Sequence, residues 1–241
     1  MATGQIEKAF DEELDTLRGT ICEMGGLAEQ AIIEAMAALV RGDHDAAARV
    51  VERDHRIDAL ETDIERAAVQ LIALRSPTPD ELREVVAALK IASVVERIGD
   101  YAKNIAKRVP SIEDSRIRPI SLLPEMARIA GEMVHNVLDA FAARDAEKAR
   151  QVRERDVAVD DFYNSIFRAL LTHMMEHPHN ITPATHLLFV ARNLERIGDH
   201  ATNVAEMVYF AATGQHLGDR AKGADTTVIA ADDIGNDPYG R

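Results

Sequence analysis

The sequence has little of the residue types that cross-link or fill many small folds. Its 241 residues include one cysteine, Cys22, and no tryptophan, and aromatic residues make up only 4%. A lone cysteine cannot form an internal disulfide, and no charged-then-apolar signal segment opens the chain, so we expect a cytoplasmic protein. Ala, Leu, Val and Ile instead crowd segments of 25 to 35 residues with almost no proline. This pattern indicates long packed helices.

Basic residues are also in deficit. The chain has 28 Lys and Arg against 41 Asp and Glu, which gives a formal net charge of −13. A nucleic-acid interface needs a basic face to contact phosphates, so this balance argues against a nucleic-acid partner. Bound metal ions or cationic partners suit the charge better.

Long apolar runs and familiar catalytic motifs are absent as well. No run approaches the roughly 20 residues that a bilayer-spanning helix needs, so we expect any membrane contact to be peripheral and made through partners. The sequence has no glycine-rich phosphate loop, no His-Glu-x-x-His, and no evident base for Cys22. We therefore expect no enzymatic activity, although acidic clusters can catalyse reactions with bound metals.

What the sequence does contain is an internal duplication. Glu-Arg-Ile-Gly-Asp stands at 96–100 and again at 195–199, an offset of 99. Glu-Arg-Asp stands at 52–54 and again at 154–156, an offset of 102, and each is followed four residues later by another aspartate. Prolines between the paired segments mark a turn that accommodates the three-residue difference. The chain therefore contains two copies of one helical unit.

The duplication predicts an all-α protein of two repeated three-helix bundles. The first bundle is expected over 1–110 and the second over 111–213. Positions 214–241 are rich in glycine and aspartate, which predicts a disordered tail. Asp43 and Asp145 stand at equivalent points and are suited to be N-caps. The six predicted long helices span 5–41, 44–75, 80–108, 121–143, 146–176 and 183–212.

Both copies place acidic side chains four residues apart, which puts them on one face of a helix. The acids with this spacing are Asp54, Asp58, Glu96 and Asp100 in the first copy, and Asp156, Asp160, Glu195 and Asp199 in the second. Asn104 and Asn203 stand four residues after Asp100 and Asp199, so they lie on the same helical faces as those aspartates. Like charges at this spacing destabilise a helix by roughly 0.2–0.5 kcal/mol, and a bound cation would offset that cost.

The positions of these acids also fit two helical hairpins. Residues at one level of an antiparallel helix pair lie at equal sequence distance from the turn between them. Asp54 and Asp100 are centred on position 77. Asp58 and Glu96 are centred on the same position, and the four acids of the second copy are centred at 177–178. Four acids at one level, twice over, predict two oxygen-rich sites for hard or borderline metal ions.

An alternative interpretation is a solvated acidic face neutralised by nearby arginines, since charge runs are usually surface features. The arginines concerned are Arg53, Arg97, Arg155 and Arg196. The matched registers favour the metal sites. Gly99 and Gly198 support them, because a glycine inside a helix costs about 1 kcal/mol relative to alanine and usually has a packing reason.

The extended motifs at 96–106 and 195–205 resemble the paired E-x-x-x-D signatures of the PhoU family of bacterial phosphate-uptake and phosphate-signalling regulators. The resemblance covers roughly 5–212. It implies two similar three-helix bundles whose acidic motifs bind iron, zinc or other divalent or trivalent ions, such as manganese or magnesium, in multinuclear clusters. The matching motif positions are Glu96, Asp100, Glu195 and Asp199, with Asp54, Asp58, Asp156 and Asp160 as companions from the preceding helices.

The resemblance further implies a regulatory adaptor. PhoU-like proteins connect the ATPase subunit of the phosphate ABC transporter to a membrane sensor histidine kinase. When phosphate is plentiful, they restrain uptake and keep the phosphate-starvation response off. We also expect a homodimer. Two alternatives remain, a carboxylate-bridged metalloenzyme and a purely structural helical scaffold. The di-iron Glu-x-x-His pattern is not matched, because Gly99 and Gly198 stand three residues after the motif glutamates.

Overall fold

Long α-helices make up nearly all of the described chain. The computed structural model describes residues 2–112, 117 and 121–218. Across those ranges there are seven α-helices and no β-strand, so the predicted all-α class is confirmed. The helices are α1 Ala2–Arg41, α2 His44–Arg53, α3 His55–Arg75, α4 Pro79–Ala106, α5 Leu123–Ala143, α6 Ala146–Glu176 and α7 Ile181–Thr213. Most of the predicted disordered tail, positions 219–241, lies outside the described residues.

Polar caps define where several helices begin. Asp43 and Asp145 act as the predicted N-caps of α2 and α6, accepting hydrogen bonds from the backbone N–H three residues on at 2.8 and 2.9 Å. Thr78 and Glu81 form a capping box at the start of α4, where Pro79 occupies the first turn. These local signals place the helix starts close to their predicted positions.

The predicted second helix, 44–75, is interrupted at Asp54. The carbonyl oxygen of Asp54 accepts hydrogen bonds from Ile57 N at 2.8 Å and from Asp58 N at 3.3 Å. A tighter three-residue turn therefore divides the segment into α2 and α3. The break falls at a residue that is only 7% exposed and belongs to the predicted metal ligands. The boundaries of the other helices lie within three residues of those predicted.

The helices pack around one continuous apolar core. Helix α1 lies against α2, α3 and α4 of its own copy and also against α5 of the second copy. Helix α7 packs against α5 and α6, and it also contacts α4 of the first copy. The two helices that carry the repeated pentapeptide therefore touch each other. The division of the chain at 110/111 stays a prediction.

Equivalent residues of the two copies meet where α4 contacts α7. Tyr101 and His200 each follow the last aspartate of a pentapeptide, and their ring centroids lie 5.1 Å apart with the rings nearly perpendicular, at 78°. The guanidinium carbon of Arg196 lies 5.8 Å from the centre of the Tyr101 ring. Contact between equivalent residues is the arrangement found at a twofold axis. The two candidate sites therefore flank the α4–α7 contact.

None of the helices in the described ranges has the length and apolar character that a membrane crossing requires.

Candidate metal centres

In the first copy, the side chain of Lys103 contacts two of the predicted metal ligands, Asp54 and Asp100. The ammonium of Lys103 donates hydrogen bonds to the carboxylates of Asp54 and Asp100. Asp54 lies beside Gly99, where an added Cβ would stand 3.5 Å from Asp54 Oδ1. The hairpin of α3 and α4 thus brings Asp54 and Asp100 within reach of a single positive charge.

Glu96 lies in the same cluster, and its pKa reflects the crowding of acids around it. Burial and four neighbouring acids raise the pKa of Glu96 to about 7. In decreasing order of effect, these acids are Asp100, Glu61, Asp58 and Asp54. Burial and the charge of Asp54 also raise the pKa of Asp58. In the structure, the three predicted aspartates of the first copy therefore lie close enough to Glu96 for their charges to raise its pKa.

The aspartate at the start of the second cluster is more deeply buried than its equivalent in the first copy. Asp156 is 1% exposed, and the side chain of Glu195 is 13% exposed. Arg192 Nη1 donates to Glu195 Oε1 at 2.8 Å, whereas Glu195 Oε2 is buried and accepts no hydrogen bond from the described residues. Burial raises the pKa of Glu195 to about 7 although Arg192 lowers it. The acids that raise it further are Asp199, Asp160 and Asp156.

Gly198 allows the buried carboxylate of Asp156 to lie against α7. A Cβ added at Gly198 would stand 2.8 Å from Asp156 Oδ1 and 3.2 Å from Val159 Cγ1. At Gly99 the nearest atom to an added Cβ is Ile57 Cδ1, also at 2.8 Å, which is the flexible end of a side chain. Both glycines therefore have a packing reason, and the approach to a ligand carboxylate is closer in the second copy.

Sequence reasoning missed three charged residues in the clusters. Glu61 stands three residues after Asp58 and on the same helical face, so helical spacing could have identified it. The other two are cations that are present in only one copy. By the offsets of the repeat, Glu61 aligns with Tyr163, Lys103 with Thr202, and Arg192 with Ser93. A position-by-position comparison of the two copies would therefore have marked all three.

One arginine of the alternative interpretation, Arg53, is engaged away from the acidic cluster. Arg53 stands next to Asp54 in the chain, but it donates hydrogen bonds to Glu34 of α1. Its charge is therefore used at the α1–α2 contact, and the cation that meets Asp54 is Lys103. Arg53 therefore does not neutralise Asp54.

The donor set fits a hard or borderline cation, although the side chains are not drawn together around one point. Within the part of the chain that the structure describes, no three His, Cys, Asp or Glu side chains converge closely enough to hold one ion. Carboxylate oxygens are nevertheless the ligands such ions prefer, and the buried Glu195 Oε2 has a free hydrogen-bonding position. A bound cation would relieve the repulsion that raises the pKa of Glu96 and of Glu195.

Comparison with known proteins identifies the family. The model of the PhoU domain matches residues 21–109 and 123–208, which lie in the first and second helical copies. The chain belongs to the PhoU family. A relative from Zymomonas mobilis is 54% identical over 223 residues, which cover 92% of this chain and 94% of the relative. A relative from Rhizobium meliloti is 47% identical over 235 residues, covering 96% of this chain and 99% of its own. Both carry the name phosphate-specific transport system accessory protein PhoU homolog.

Solved PhoU structures have the same fold. The crystal structure of PhoU from Pseudomonas aeruginosa superposes with a TM-score of 0.82 at 35% identity, covering 86% of this chain and 100% of that one. The phosphate transport system regulatory protein PhoU from Streptococcus pneumoniae gives a TM-score of 0.81 at 27% identity, covering 87% and 99%. These similarities confirm both the family and the predicted helical-bundle architecture.

We expect the metal-free protein to be more stable at pH 6 than at pH 8. The pKa of Glu96 and of Glu195 rises from 4.5 to about 7 on folding, so between these values the folded state holds protons that the unfolded state has lost. Stability is therefore lost as the pH rises through 7. After allowance for solvent screening, the difference is roughly 1 kcal/mol. Urea denaturation of chelator-treated protein at both pH values measures it.

The double variant Glu96→Gln/Glu195→Gln should show a smaller pH difference than the wild type. Glu176→Gln serves as the control, because Glu176 is exposed at the end of α6 and far in sequence from both pentapeptides. Identical pH dependence in the double variant and the control would show that the two glutamates do not hold extra protons in the folded state.

Proposed function

We propose that this PhoU-family protein is an accessory protein of a phosphate-specific transport system and a negative regulator of phosphate uptake and of the phosphate-starvation response. The observation that carries the proposal is similarity over nearly the whole chain to relatives named for that role, at 54% and 47% identity. The similarity includes both helical copies. It therefore extends over nearly the whole chain and over 94% and 99% of the two relatives, beyond a single shared repeat.

We further propose that the protein acts by contact and has no catalytic activity. Its partners would be the ATPase subunit of the phosphate ABC transporter and a sensor histidine kinase, both met from the cytoplasm, with the adaptor itself a homodimer. The formal charge of −13 supports a protein that presents acidic surface to its partners. The PhoU names of the relatives describe an accessory role, which agrees with an adaptor.

Metal binding is the third part of the proposal. The eight acids in the two clusters would hold iron, zinc, manganese or magnesium ions, because their carboxylate oxygens suit these cations and lie in mutual electrostatic contact. Neutralising the clusters would also fix the facing surfaces of α3, α4, α6 and α7. In this way a bound metal would order the face that a partner meets.

We expect the purified, metal-loaded protein to bind the transporter ATPase subunit or the cytoplasmic part of the sensor kinase. Replacing Glu96, Asp100, Glu195 and Asp199 by alanine should weaken this association, since the acidic face then loses both its charge and its metal. Pulldown and light scattering with the purified partners measure binding, and a phosphate-ester assay on the same sample should stay at background. Failure to bind either partner would contradict the adaptor, and metal-dependent turnover would favour the metalloenzyme.

A further inference from the structure

We infer that a partner of this protein contacts a basic, aromatic seam between α4 and α7, and that the partner's contacting element is an acidic amphipathic helix. The inference rests on the adaptor function proposed above and names the surface and the chemistry that this function uses. The seam is defined by one stripe of residues on each helix, recurring at helical spacing. The stripes occupy positions 83, 86, 90, 94, 97, 101, 104 and 108 on α4, and 186, 189, 193, 196, 200, 203, 207 and 210 on α7.

The two stripes lie side by side along the α4–α7 contact. The guanidinium carbon of Arg83 lies 6.0 Å from the centre of the Phe210 ring at one end, and that of Arg108 lies 4.2 Å from the centre of the Phe189 ring at the other. The helices are therefore antiparallel, and positions 83–108 span about 37 Å at the helical rise per residue. Every side chain of the seam except Asn193 is at least partly exposed. The seam therefore offers an exposed surface that is long enough for a protein segment.

The seam is basic although the chain as a whole is acidic. Five of its 16 positions carry Lys or Arg and none carries Asp or Glu, in a chain with 41 acids and 28 bases. Nη1 of Arg83 lies 3.1 Å from Oδ1 of Asp80. The other four cations form no ion pair with any residue that the structure describes, and they are Lys90, Arg97, Arg108 and Arg196. A row of unpaired cations attracts a segment of the opposite charge.

Arg108 shows most clearly that the seam lacks a counter-ion. Its guanidinium lies over the Phe189 ring, and its Nη1 lies 3.2 Å from Nδ1 of His186. Its Nε is buried and donates no hydrogen bond to the described residues. Burial lowers the pKa of Arg108 from its ordinary value. A carboxylate brought by a partner would supply the missing negative charge.

Apolar and aromatic side chains alternate with these cations. Phe189 is 48% exposed and Val86 is 39% exposed, although both are large apolar residues. At the Arg83 end of the seam, a groove of about 630 Å³ is lined by Val86, Met207 and Phe210. Arginine and aromatic residues are the types enriched at the centres of protein interfaces. The seam therefore has anchors for apolar side chains as well as charges for acids.

The spacing of the cations fits a helix from the partner. Arg83, Lys90 and Arg97 stand seven residues apart, so they recur about every 10 Å along α4. A helix lying along the seam with an acid at every seventh residue would meet them in register and turn its apolar face into the groove. A nucleic acid or a lipid surface fits less well, because its phosphates would meet the acidic clusters that flank the α4–α7 contact.

Binding of the purified partners by seam variants tests the inference. The probes are the transporter ATPase subunit and the cytoplasmic part of the sensor kinase, with affinity measured by isothermal titration calorimetry. Arg97→Gln/Arg196→Gln removes the two cations at equivalent positions of the pentapeptides and should weaken binding about tenfold or more. Arg97→Lys/Arg196→Lys keeps both charges and should retain most of the affinity.

A second variant tests the seam away from the acidic motifs. Lys90→Glu should also weaken binding about tenfold or more, since it reverses one charge at the groove. Arg168→Glu is the matched control, because Arg168 is exposed on α6 outside the seam and its reversal changes the net charge by the same amount. It should bind as the wild type does. Circular dichroism and elemental analysis should show unchanged helicity and metal content in every variant.

Hydrogen exchange in the complex identifies the element of the partner that binds. Exchange should slow in one helix of the partner that carries a net negative charge, and on this chain it should slow in α4 and α7. A single-stranded oligonucleotide and vesicles of phosphatidylcholine and phosphatidylserine, added in place of the partner, should not bind.

The outcomes separate this inference from the function it rests on. Wild-type affinity in Lys90→Glu and in Arg97→Gln/Arg196→Gln would overturn the seam while leaving the adaptor function intact. An equal loss of affinity in Arg168→Glu, a basic protected segment in the partner, or binding of the oligonucleotide or vesicles that the seam variants abolish would do the same. No binding of either partner by the wild type would remove the adaptor function itself, and the inference with it.

Discussion

Cells that lack this protein are expected to express phosphate-starvation genes even when phosphate is abundant. A negative regulator of the proposed kind would hold the sensor kinase and the transporter in their inactive states by contact, so its removal would release both at once. Expression should approach the level of starved wild-type cells. A reporter gene driven by a phosphate-starvation promoter, together with the rate of phosphate uptake at high external phosphate, measures the effect.

The genetic test has two controls within the same chain. Wild-type protein supplied from a plasmid should restore repression, and so should the Glu176→Gln variant, whose substitution is exposed at the end of α6. The variant with alanine at Glu96, Asp100, Glu195 and Asp199 should restore it only in part. Normal repression in the deletion strain, with every other PhoU-family gene also removed, would refute the regulatory proposal.

The helical hairpins could be predicted from the sequence because their signals are local and occur twice. Asp43 and Asp145 cap their helices through bonds to a backbone N–H three residues away, so the pattern of nearby residues was sufficient. The register of the acids followed from their distances to the turns near position 77 and at 177–178. Their mutual effects on the pKa of Glu96 and of Glu195 agree with that register.

The charge balance of the clusters could not be predicted in the same way. The repeat shows what the two copies share, whereas Lys103 and Arg192 are each present in one copy alone. A lysine side chain is long and flexible, so spacing places its Cα but not its ammonium. The bridge from Lys103 to Asp54 therefore depended on how closely α3 approaches α4, and side-chain packing such as that of Ile57 against Gly99 determines this distance.

The contact between the two copies is also a property of the fold. Tyr101 and His200 are adjacent to the acidic residues in sequence, and nothing local indicates that they meet each other. Their contact follows from α4 packing against α7, which buries apolar surface from both copies. The break at Asp54 also could not be predicted. Asp54 is neither proline nor glycine, and its backbone angles remain helical, so the residue type gives no sign of the tighter turn.

Removing the motif acids is expected to abolish metal binding, and removing half of them to halve it. At saturating metal, Glu96→Ala/Asp100→Ala should bind about half as much metal as the wild type, because the second cluster stays intact on α6 and α7. The variant with Glu195→Ala and Asp199→Ala in addition should bind almost none. Elemental analysis of dialysed protein gives the metal content, and circular dichroism should show unchanged helicity, since alanine is the best helix former.

A loss of bulk negative charge must be separated from a loss of ligands. A control protein therefore carries alanine at four exposed acids outside the clusters and has the same net charge as the quadruple variant. These acids are Asp11, Glu12, Asp63 and Glu176. Diffuse attraction of cations to an acidic surface would fall equally in both proteins and would weaken with added salt. Site binding predicts full metal content in the control and none in the quadruple variant, so equal metal content in the two proteins would contradict the metal centres.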